Sequence, residues 1–307
     1  MKPVVVNITG PTASGKTALA VELAAALGTE IVSADSRQVY REMRIGTAVP
    51  DEEEQKGIRH HLLQHRSIQR PYTVKDYERE ALETLSKLFK RYPVVIMAGG
   101  TGLYFRAVHS GLDPIPDVPA HIRQHLQRQW EKEGLGPLLE ELRTRDPVYY
   151  ETVDRHNPVR IIRALEVIRH TGKAFSSYRT GKKAERPFRS LWIGLAPPRA
   201  ALYERINRRV MEMDRSGLED EVRRLYPFRH LNALQTVGYR EWFPYFEGKT
   251  SRERVLEEIA KNTRRYAKRQ CTWFRRNPDI RFFDPLKGTE VIEVYVKREL
   301  DRMLGSG

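Results

Sequence analysis

A complete phosphate-binding loop lies close to the start of the chain and constrains the fold more than any other feature of the sequence. It fits the pattern G-x-x-x-x-G-K-[ST] and consists of Gly10, Pro11, Thr12, Ala13, Ser14, Gly15, Lys16 and Thr17. The apolar run 4–8 before it predicts a buried parallel strand, and residues 18–27, followed by Gly28, predict a helix. Strand, loop and helix in this order are the context that the motif requires, so the sequence predicts an α/β fold that binds phosphate.

Each part of this loop suggests a contact with a phosphate group. Glycines let backbone N–H groups turn toward phosphate oxygens, and the N-terminus of the following helix adds partial positive charge. Lys16 adds a full positive charge, and the hydroxyl of Thr17 can hold a magnesium ion. The alternative is a glycine turn with a structural role only. The motif alone does not identify the molecule that carries the phosphate.

Length and composition narrow the class of protein. The 307 residues are enough for an α/β core with an inserted unit. No apolar stretch reaches the roughly 18 residues of a membrane span, and the first predicted strand begins too early to leave room for a secretory signal. The single cysteine, Cys271, excludes an internal disulfide and a cysteine-rich zinc module. We therefore expect a cytoplasmic protein, with a monomer as the simplest state.

The charge balance indicates a polyanionic partner. Lys and Arg number 54 against 40 Asp and Glu, which gives a net charge of +14. Residues 261–276 contain no acid and carry Lys261, Arg264, Arg265, Lys268, Arg269, Arg275 and Arg276. A solvated helix face is the alternative, but such faces usually mix both signs of charge. We therefore predict that this basic run contacts nucleic acid.

Two further predicted strands end on residues that suit a ligand site. Residues 30–35 end on Asp35, and residues 93–98 open into Gly99-Gly100-Thr101-Gly102, with an amphipathic helix near 76–91 between them. In a parallel sheet, ligands bind at the carboxyl ends of the strands. The loops at Gly10, Asp35 and Gly99 should therefore converge on one crevice.

The rest of the chain predicts a P-loop NTPase-like parallel sheet core with a helical insertion domain and additional C-terminal helices. Residues 1–112 and 187–307 form the predicted core, and the charged, helix-forming segment 113–186 is the predicted insertion. A strand at 191–195 resumes the sheet, and a basic helix from Arg199 places Arg205, Arg208 and Arg209 where phosphate-transfer folds often have cationic residues. A helical part at about 231–276 follows, with late strands expected at 280–283 and 291–296.

Several side chains near the predicted crevice have more than one interpretation. Asp35 can ligate magnesium, accept a proton from a nucleophile or cap the following turn. Thr101 can contact a ligand or form the N-cap of the next helix. His60, His61 and His65 lack the spacing of known zinc pairs, which favours structural roles for them.

An ordered set of motifs across nearly the whole chain resembles the tRNA dimethylallyltransferases, also called tRNA isopentenyltransferases, of the bacterial type. The resemblance rests on 10–17, 33–40, 45–48, 99–104, Asn157-Pro158 with Arg160, 163–166, 237–241, 268–270 and 272–275. One departure follows His61-Leu62, where the family usually has an apolar residue and an aspartate but this chain has Leu63-Gln64-His65. The C-terminal zinc finger of many eukaryotic relatives is not present in this sequence.

The resemblance implies transfer of a dimethylallyl group from dimethylallyl diphosphate to the N6 amine of an adenosine next to the tRNA anticodon. The phosphate loop would then hold the donor diphosphate, and Asp35 would be the general base. Lys16, Mg²⁺ and Thr101 would stabilise the departing diphosphate, and Arg123 would clamp the same group. The phosphate loop is also compatible with a kinase that phosphorylates a nucleoside or small metabolite, and the basic run with an RNA-binding module that has no activity.

By the same resemblance, four segments lie on the tRNA side of the protein. They comprise Asp35, Ser36, Arg37 and Gln38; Val159, Arg160, Ile161, Ile162 and Arg163; Gln235, Thr236, Val237, Gly238, Tyr239 and Arg240; and Lys268, Arg269, Gln270, Cys271, Thr272, Trp273, Phe274 and Arg275. The last segment coincides with the basic run. Arg163 and Glu166 can instead form a helical ion pair, and Trp273 can instead belong to the core.

Overall fold

A six-stranded parallel sheet forms the centre of the fold. In the computed structural model, which describes residues 2–305, the strands are β1 (Val4–Thr9), β2 (Ile31–Ser33), β3 (His60–His61), β4 (Val94–Gly99), β5 (Arg189–Leu195) and β6 (Arg281–Phe283). Their order is β3-β2-β4-β1-β5-β6, and every neighbouring pair is parallel. The carboxyl ends of β1, β2 and β4 therefore open on the same edge, which confirms the predicted P-loop NTPase-like core.

Helices account for most of the remaining chain. They are α1 (Lys16–Leu27), α2 (Glu52–Gln55), α3 (Val74–Leu88), α4 (Gly102–Ser110), α5 (Ala120–Glu133), α6 (Gly136–Arg145), α7 (Pro147–Thr152), α8 (Pro158–Thr171), α9 (Arg199–Arg215), α10 (Leu218–Leu225), α11 (Phe243–Phe246), α12 (Arg252–Phe274) and α13 (Glu290–Gly305). Short 3₁₀ turns lie at Phe175–Tyr178, Tyr226–Phe228, Arg240–Trp242 and Pro285–Lys287. None of the helices within residues 2–305 is both long and apolar enough to cross a membrane.

Alternation along the strands divides the apolar residues between two cores. Val4, Val6 and Ile8 of β1 join one cluster with α1 and α13, whereas Val5 joins a second cluster with α3, α4 and α12. Successive side chains of a strand point to opposite faces of the sheet, so a strand buried on both faces is apolar throughout. This is why 4–8 is a continuous apolar run.

The chain divides into two compact units. One contains the sheet and runs through residue 109 and again from 186, and the other spans Ser110–Glu185. The second unit is helical and has its own core, in which Leu126, Leu142 and Leu165 are fully buried. It contains the helices α5 to α8.

The expected strand at 291–296 is wrong, because these residues lie in α13. Their alternation of β-branched and polar residues resembles a strand, but Ile292, Val296 and Leu300 recur every four residues and are buried against the sheet. Packing along one helix face therefore outweighs the local β propensity. The two-residue strand β3 (His60–His61) lies in a segment for which the sequence predicted no strand.

Candidate active site

The phosphate loop follows β1 directly and has the backbone conformation that its glycines allow. Gly10, Ala13 and Gly15 have φ values of 149°, 62° and 94°. A Cβ atom on Gly10 would lie 2.8 Å from the carbonyl oxygen of Leu195, so this position has no space for a side chain. The helix α1 starts at Lys16, which places the helix N-terminus immediately after the loop.

Lys16 is held inside this loop. Its Nζ donates to the carbonyl oxygen of Pro11 at 2.6 Å. Burial lowers the pKa of Lys16 to about 8, although attraction to Asp35 opposes the shift, and repulsion from Arg209 adds to it. Burial likewise lowers the pKa of the Arg209 guanidinium. Two partly buried cations, Lys16 and Arg209, and the Asp35 carboxylate therefore face the same cleft, and the excess positive charge favours an anionic ligand.

Ser14 supplies a second sign of a polar ligand. Its hydroxyl is fully buried in the loop, and no hydrogen-bond partner for it exists within residues 2–305. A buried polar group without a partner costs free energy, so such groups are usually satisfied. An oxygen-bearing ligand in the loop would supply the missing partner.

Asp35 and Thr101 join the loops that follow β2 and β4. One oxygen of Asp35, Oδ1, accepts the N–H groups of Arg37 at 2.8 Å and Gln38 at 3.3 Å, so this oxygen caps the turn. The hydroxyl of Thr101 accepts the Ser36 N–H at 3.0 Å and donates to the Ser36 hydroxyl at 3.2 Å. The carbonyl oxygen of Thr101, not its hydroxyl, accepts the N–H groups of Tyr104 and Phe105 in the first turn of α4. Asp35 thus combines a capping role with a position in the cleft.

A cleft of about 740 Å³ brings these elements together at the carboxyl edge of the sheet. It is lined by the phosphate loop from Thr12 to Thr17, by the turn 35–38, by Gly99 and Gly100, and by Arg209 of α9. The loop 44–51, the segment 236–238 and residues of α9 and α12, among them Ile206, Tyr266 and Gln270, also line its wall. Of the residues predicted for the site, the cleft lining includes 12–17, 35–38, 236–238 and Gln270, but not Thr101 or Arg123.

Glu221 of α10 builds part of that wall, a role that the sequence did not indicate. This buried carboxylate accepts the backbone N–H groups of Arg44 at 3.1 Å, Ile45 at 2.9 Å and Gly46 at 3.1 Å, and the hydroxyl of Tyr239 at 2.6 Å. Burial and the Glu221 carboxylate raise the pKa of Tyr239, which keeps the phenol protonated as a donor. Glu221 thereby holds the loop at 44–46 against α10.

Gln270 lies on α12 and links two of the cleft loops. Its Oε1 accepts the Thr12 N–H at 2.8 Å, and its Nε2 donates to the carbonyl oxygen of Gly100 at 2.9 Å. The side chain is only 5% exposed. The sequence indicated a place on the tRNA side, whereas the structure places Gln270 at the phosphate loop.

The outer face of α12 and the residues after it form a positive surface. Lys268, Arg269 and Arg275 are exposed. Within residues 2–305, no carboxylate lies within ion-pair distance of five cations of the basic run, namely Arg265, Lys268, Arg269, Arg275 and Arg276. Lys261 instead pairs with Glu258 at 2.9 Å, and Arg264 donates to Asn207 at 2.6 Å. The run is therefore a surface of largely unneutralised charge.

Other residues predicted on the tRNA side divide into exposed and buried ones. Arg240, Gln235 and Thr272 are exposed, and Trp273 is 37% exposed. Ile161, Ile162, Tyr239 and Phe274 are buried, so we correct the expectation that their side chains contact tRNA directly. The two isoleucines pack in the core of the helical unit, and Tyr239 and Phe274 pack in a core of the unit that contains the sheet. Gly238 is buried, and Cys271 is partly buried.

The segment 159–163 and Arg123 lie in the helical unit. Val159 and Arg160 are exposed at the start of α8. Arg123 donates to both oxygens of Glu166, from Nε at 2.6 Å and from Nη2 at 2.9 Å. Arg163 pairs with the same carboxylate, one turn away on α8. Glu166 is 1% exposed, so it is a buried acid neutralised by two arginines.

The three histidines have separate protein partners. His60 Nδ1 lies 2.9 Å from the carbonyl oxygen of Ile58, His61 Nε2 lies 2.5 Å from Glu30, and His65 Nε2 lies 3.0 Å from Glu80. Among residues 2–305, no group of three or more His, Cys, Asp or Glu side chains is arranged to hold a metal ion.

Comparison with known families identifies the chain. The profile of the family described as IPP transferase matches residues 38–277. The chain belongs to the IPP transferase family. Two relatives in this family are a tRNA dimethylallyltransferase of Christiangramia forsetii and tRNA dimethylallyltransferase 2 of Parabacteroides distasonis. The first is 48% identical over 98% of this chain and 100% of the relative, and the second is 45% identical over 96% and 98%.

Solved structures in the IPP transferase family have the same fold. The tRNA isopentenylpyrophosphate transferase of Bacillus halodurans aligns with a TM-score of 0.73 at 35% identity and covers 98% of both chains. A eukaryotic dimethylallyltransferase acting on tRNA aligns with a TM-score of 0.81 over 99% of this chain and 80% of its own. At 24% identity, that second likeness shows the fold alone.

Proposed function

We propose that this protein transfers a dimethylallyl group from dimethylallyl diphosphate to the N6 amine of an adenosine next to the anticodon of tRNA. The observation that carries the proposal is that the phosphate loop and Asp35 line one cleft beneath a helix with unneutralised positive charge. The activity named for the relatives at 48% and 45% identity supports it. We further propose that the protein acts as a monomer in the cytoplasm.

The donor diphosphate fits the phosphate loop. Its oxygens would accept the N–H groups of the loop, and its charge would be balanced by Lys16 and Arg209. The hydroxyl of Ser14 would gain the partner that it lacks. As the C–O bond of the donor breaks, the electron pair leaves with the diphosphate, and these same groups stabilise the charge that develops there.

Asp35 is the proposed general base. The lone pair of the adenosine amine is delocalised into the purine ring, so the neutral amine is a poor nucleophile and needs a base that removes its proton as the bond forms. As the new N–C bond forms, nitrogen becomes positive and its proton passes to the Asp35 carboxylate. Because Oδ1 already caps the turn, Oδ2 is the oxygen that we assign to this transfer.

Magnesium is a further proposal for this site. Mg²⁺ usually binds one or two protein oxygens together with substrate phosphates, and the cleft offers the hydroxyl of Thr17 and the carboxylate of Asp35. When bound, the ion would add positive charge beside the diphosphate. Thr101 makes two hydrogen bonds with Ser36, and we propose that they keep the turn 35–38 in place.

Arg123 and the RNA contacts complete the proposal. We propose that Arg123 contacts the diphosphate. Its guanidinium would then have to break, or share with the diphosphate, its two hydrogen bonds to Glu166. The exposed cations of the basic run would contact the tRNA backbone, and the target adenine would leave its stack to enter the cleft. Unstacking of a loop base costs a few kcal/mol, which contacts in the cleft would offset.

One experiment tests the reaction. Unmodified tRNA is incubated with dimethylallyl diphosphate and Mg²⁺ without ATP, and the nucleosides are analysed by mass spectrometry. We expect adenosine to gain one dimethylallyl group. A reaction that required ATP, or a product that carried a phosphate group, would favour the kinase interpretation instead.

A matched pair of variants tests Asp35. Asp35→Asn should lower kcat, measured at saturating dimethylallyl diphosphate and Mg²⁺, by about 10²–10⁴-fold, the usual contribution of general base catalysis. Asp220→Asn removes the same charge from an exposed position on α10 and should keep the activity of the original protein. If both variants turned over equally, Asp35 would not be the base.

A further inference from the structure

Gln270 is unusual among the polar residues of α12 because both ends of its side chain bond to loops of the cleft. Oε1 accepts the N–H of Thr12, and Nε2 donates to the carbonyl oxygen of Gly100. The first loop follows β1 and the second follows β4, so one amide joins the ends of two adjacent strands. With 5% exposure, this amide is shielded from solvent and offers little surface to an RNA.

The chemistry of these two bonds requires a primary amide. One partner is a donor and the other an acceptor, so the bridging group needs an acceptor and a donor at the same end. A carboxylate would turn an oxygen toward the carbonyl of Gly100 and lose that bond. Gly100 leaves the space that this bond needs, because a Cβ atom there would overlap Nε2 of Gln270 and displace the amide.

Thr12 directly precedes Ala13 in the phosphate loop, and both residues line the cleft. Holding the Thr12 N–H fixes the direction in which the chain enters Ala13, which has a positive φ of 62°. A non-glycine residue in this conformation is held there by its surroundings. The Gln270 bond is therefore part of what maintains the phosphate-binding conformation.

We propose that Gln270 is a positioning residue for the donor: from the RNA-facing helix, it holds the phosphate loop and the Gly100 loop in the geometry that binds diphosphate. This inference rests on the proposed function for its role in the reaction. It replaces a direct contact with tRNA, which the family resemblance implied. The neighbours Lys268 and Arg269 point outward on the same helix and keep the RNA-binding role.

The test separates affinity for diphosphate from affinity for tRNA. Gln270→Met retains approximate size but loses both bonds, and it should bind inorganic diphosphate roughly tenfold more weakly, with tRNA affinity unchanged. Thermal unfolding and circular dichroism establish that the variant is folded. Weaker tRNA binding with unchanged diphosphate binding would overturn the proposal and make Gln270 an RNA contact.

Gln270→Glu supplies a second readout that a merely structural role would not produce. When its carboxyl group is protonated, it again has one acceptor and one donor, so diphosphate affinity relative to the original protein should recover as pH falls. Gln270→Met should show no such recovery, and neither should Gln69→Glu, which adds the same charge at an exposed turn. If diphosphate affinity had parallel pH profiles in Gln270→Glu and Gln270→Met, the proposal that Gln270 holds the two loops through its two hydrogen bonds would be contradicted.

These measurements remain informative if the proposed reaction fails. Binding of inorganic diphosphate does not depend on the transfer reaction. It therefore tests the positioning role of Gln270 even if no dimethylallyl group reaches tRNA. Conversely, if the original protein were active and Gln270→Met bound diphosphate with unaltered affinity, only the positioning role of Gln270 would be refuted.

Discussion

The affinity for dimethylallyl diphosphate should fall as pH rises through about 8, because burial lowers the pKa of Lys16 to about 8. Between pH of about 7 and about 9, the protonated fraction of such a group falls from about nine-tenths to about one-tenth. If the ammonium form binds the diphosphate and the neutral amine does not, affinity falls about tenfold, which is about 1.4 kcal/mol. A bound anion raises the pKa again, so binding above pH 8 should take up a proton.

Calorimetric titration in buffers with different ionisation enthalpies measures both quantities. Lys16→Arg is the matched control, because a guanidinium remains charged throughout this range and the titration of the ligand itself is common to both proteins. A pH profile that is the same in Lys16→Arg and in the original protein would refute the reasoning. So would diphosphate binding without proton uptake at a pH of about 9.

The same shift has an effect on the stability of the ligand-free protein. The pKa of Lys16 lies at about 8 in the folded state, below its usual value of 10.5, so the unfolded chain binds more protons between these values. The contribution of Lys16 to the free energy of unfolding should therefore rise with pH across that window. Below about 8, both states are protonated, and the cost of burying the charge is fully present.

Three further changes test other parts of the site. Glu221→Gln should lower the free energy of unfolding by about 1.5–3 kcal/mol in urea denaturation, because an amide cannot replace a carboxylate that accepts three backbone N–H groups and a phenol; an unchanged midpoint would contradict this. A Cβ atom on residue 102 would overlap the Trp273 indole, so Gly102→Ala should displace the indole and shift the tryptophan fluorescence. The space around Gly136 is open, so Gly136→Ala is the control and should leave the fluorescence unchanged. Lys268→Gln should reduce the slope of log affinity for tRNA against log salt by about 1, and an unchanged slope would exclude a phosphate contact.

Sequence patterns predicted the elements that depend on local chemistry. The continuous apolar run of β1, the glycines of the phosphate loop and the unbroken basic run follow from the residues themselves, because strand burial, backbone conformation and charge are local properties. The roles of Glu221 and Gln270 could not be predicted in this way. Glu221 meets its N–H partners about 175 positions away, and Gln270 meets Thr12 across 258 positions, so only the folded chain brings them together.

The same limit explains why the strand expected at 291–296 is wrong and why the burial of Tyr239 was not predicted. The segment 291–296 has the composition of a strand, but its position over the sheet makes a helix with one apolar face more favourable. Tyr239 belongs to a motif that resembles an RNA-contacting segment, yet its ring fills the space left by Gly46 and is fully buried. A motif marks a residue as required, whereas the structure decides whether it touches the ligand or supports a residue that does.

The lengths of the strands have a consequence for solubility. The two outer strands, β3 and β6, contain two and three residues, whereas the central β1 contains six. Free backbone groups on an outer strand are a template for pairing with another chain, and short outer strands limit that risk. The outer strands themselves therefore offer few backbone groups on which another chain could pair.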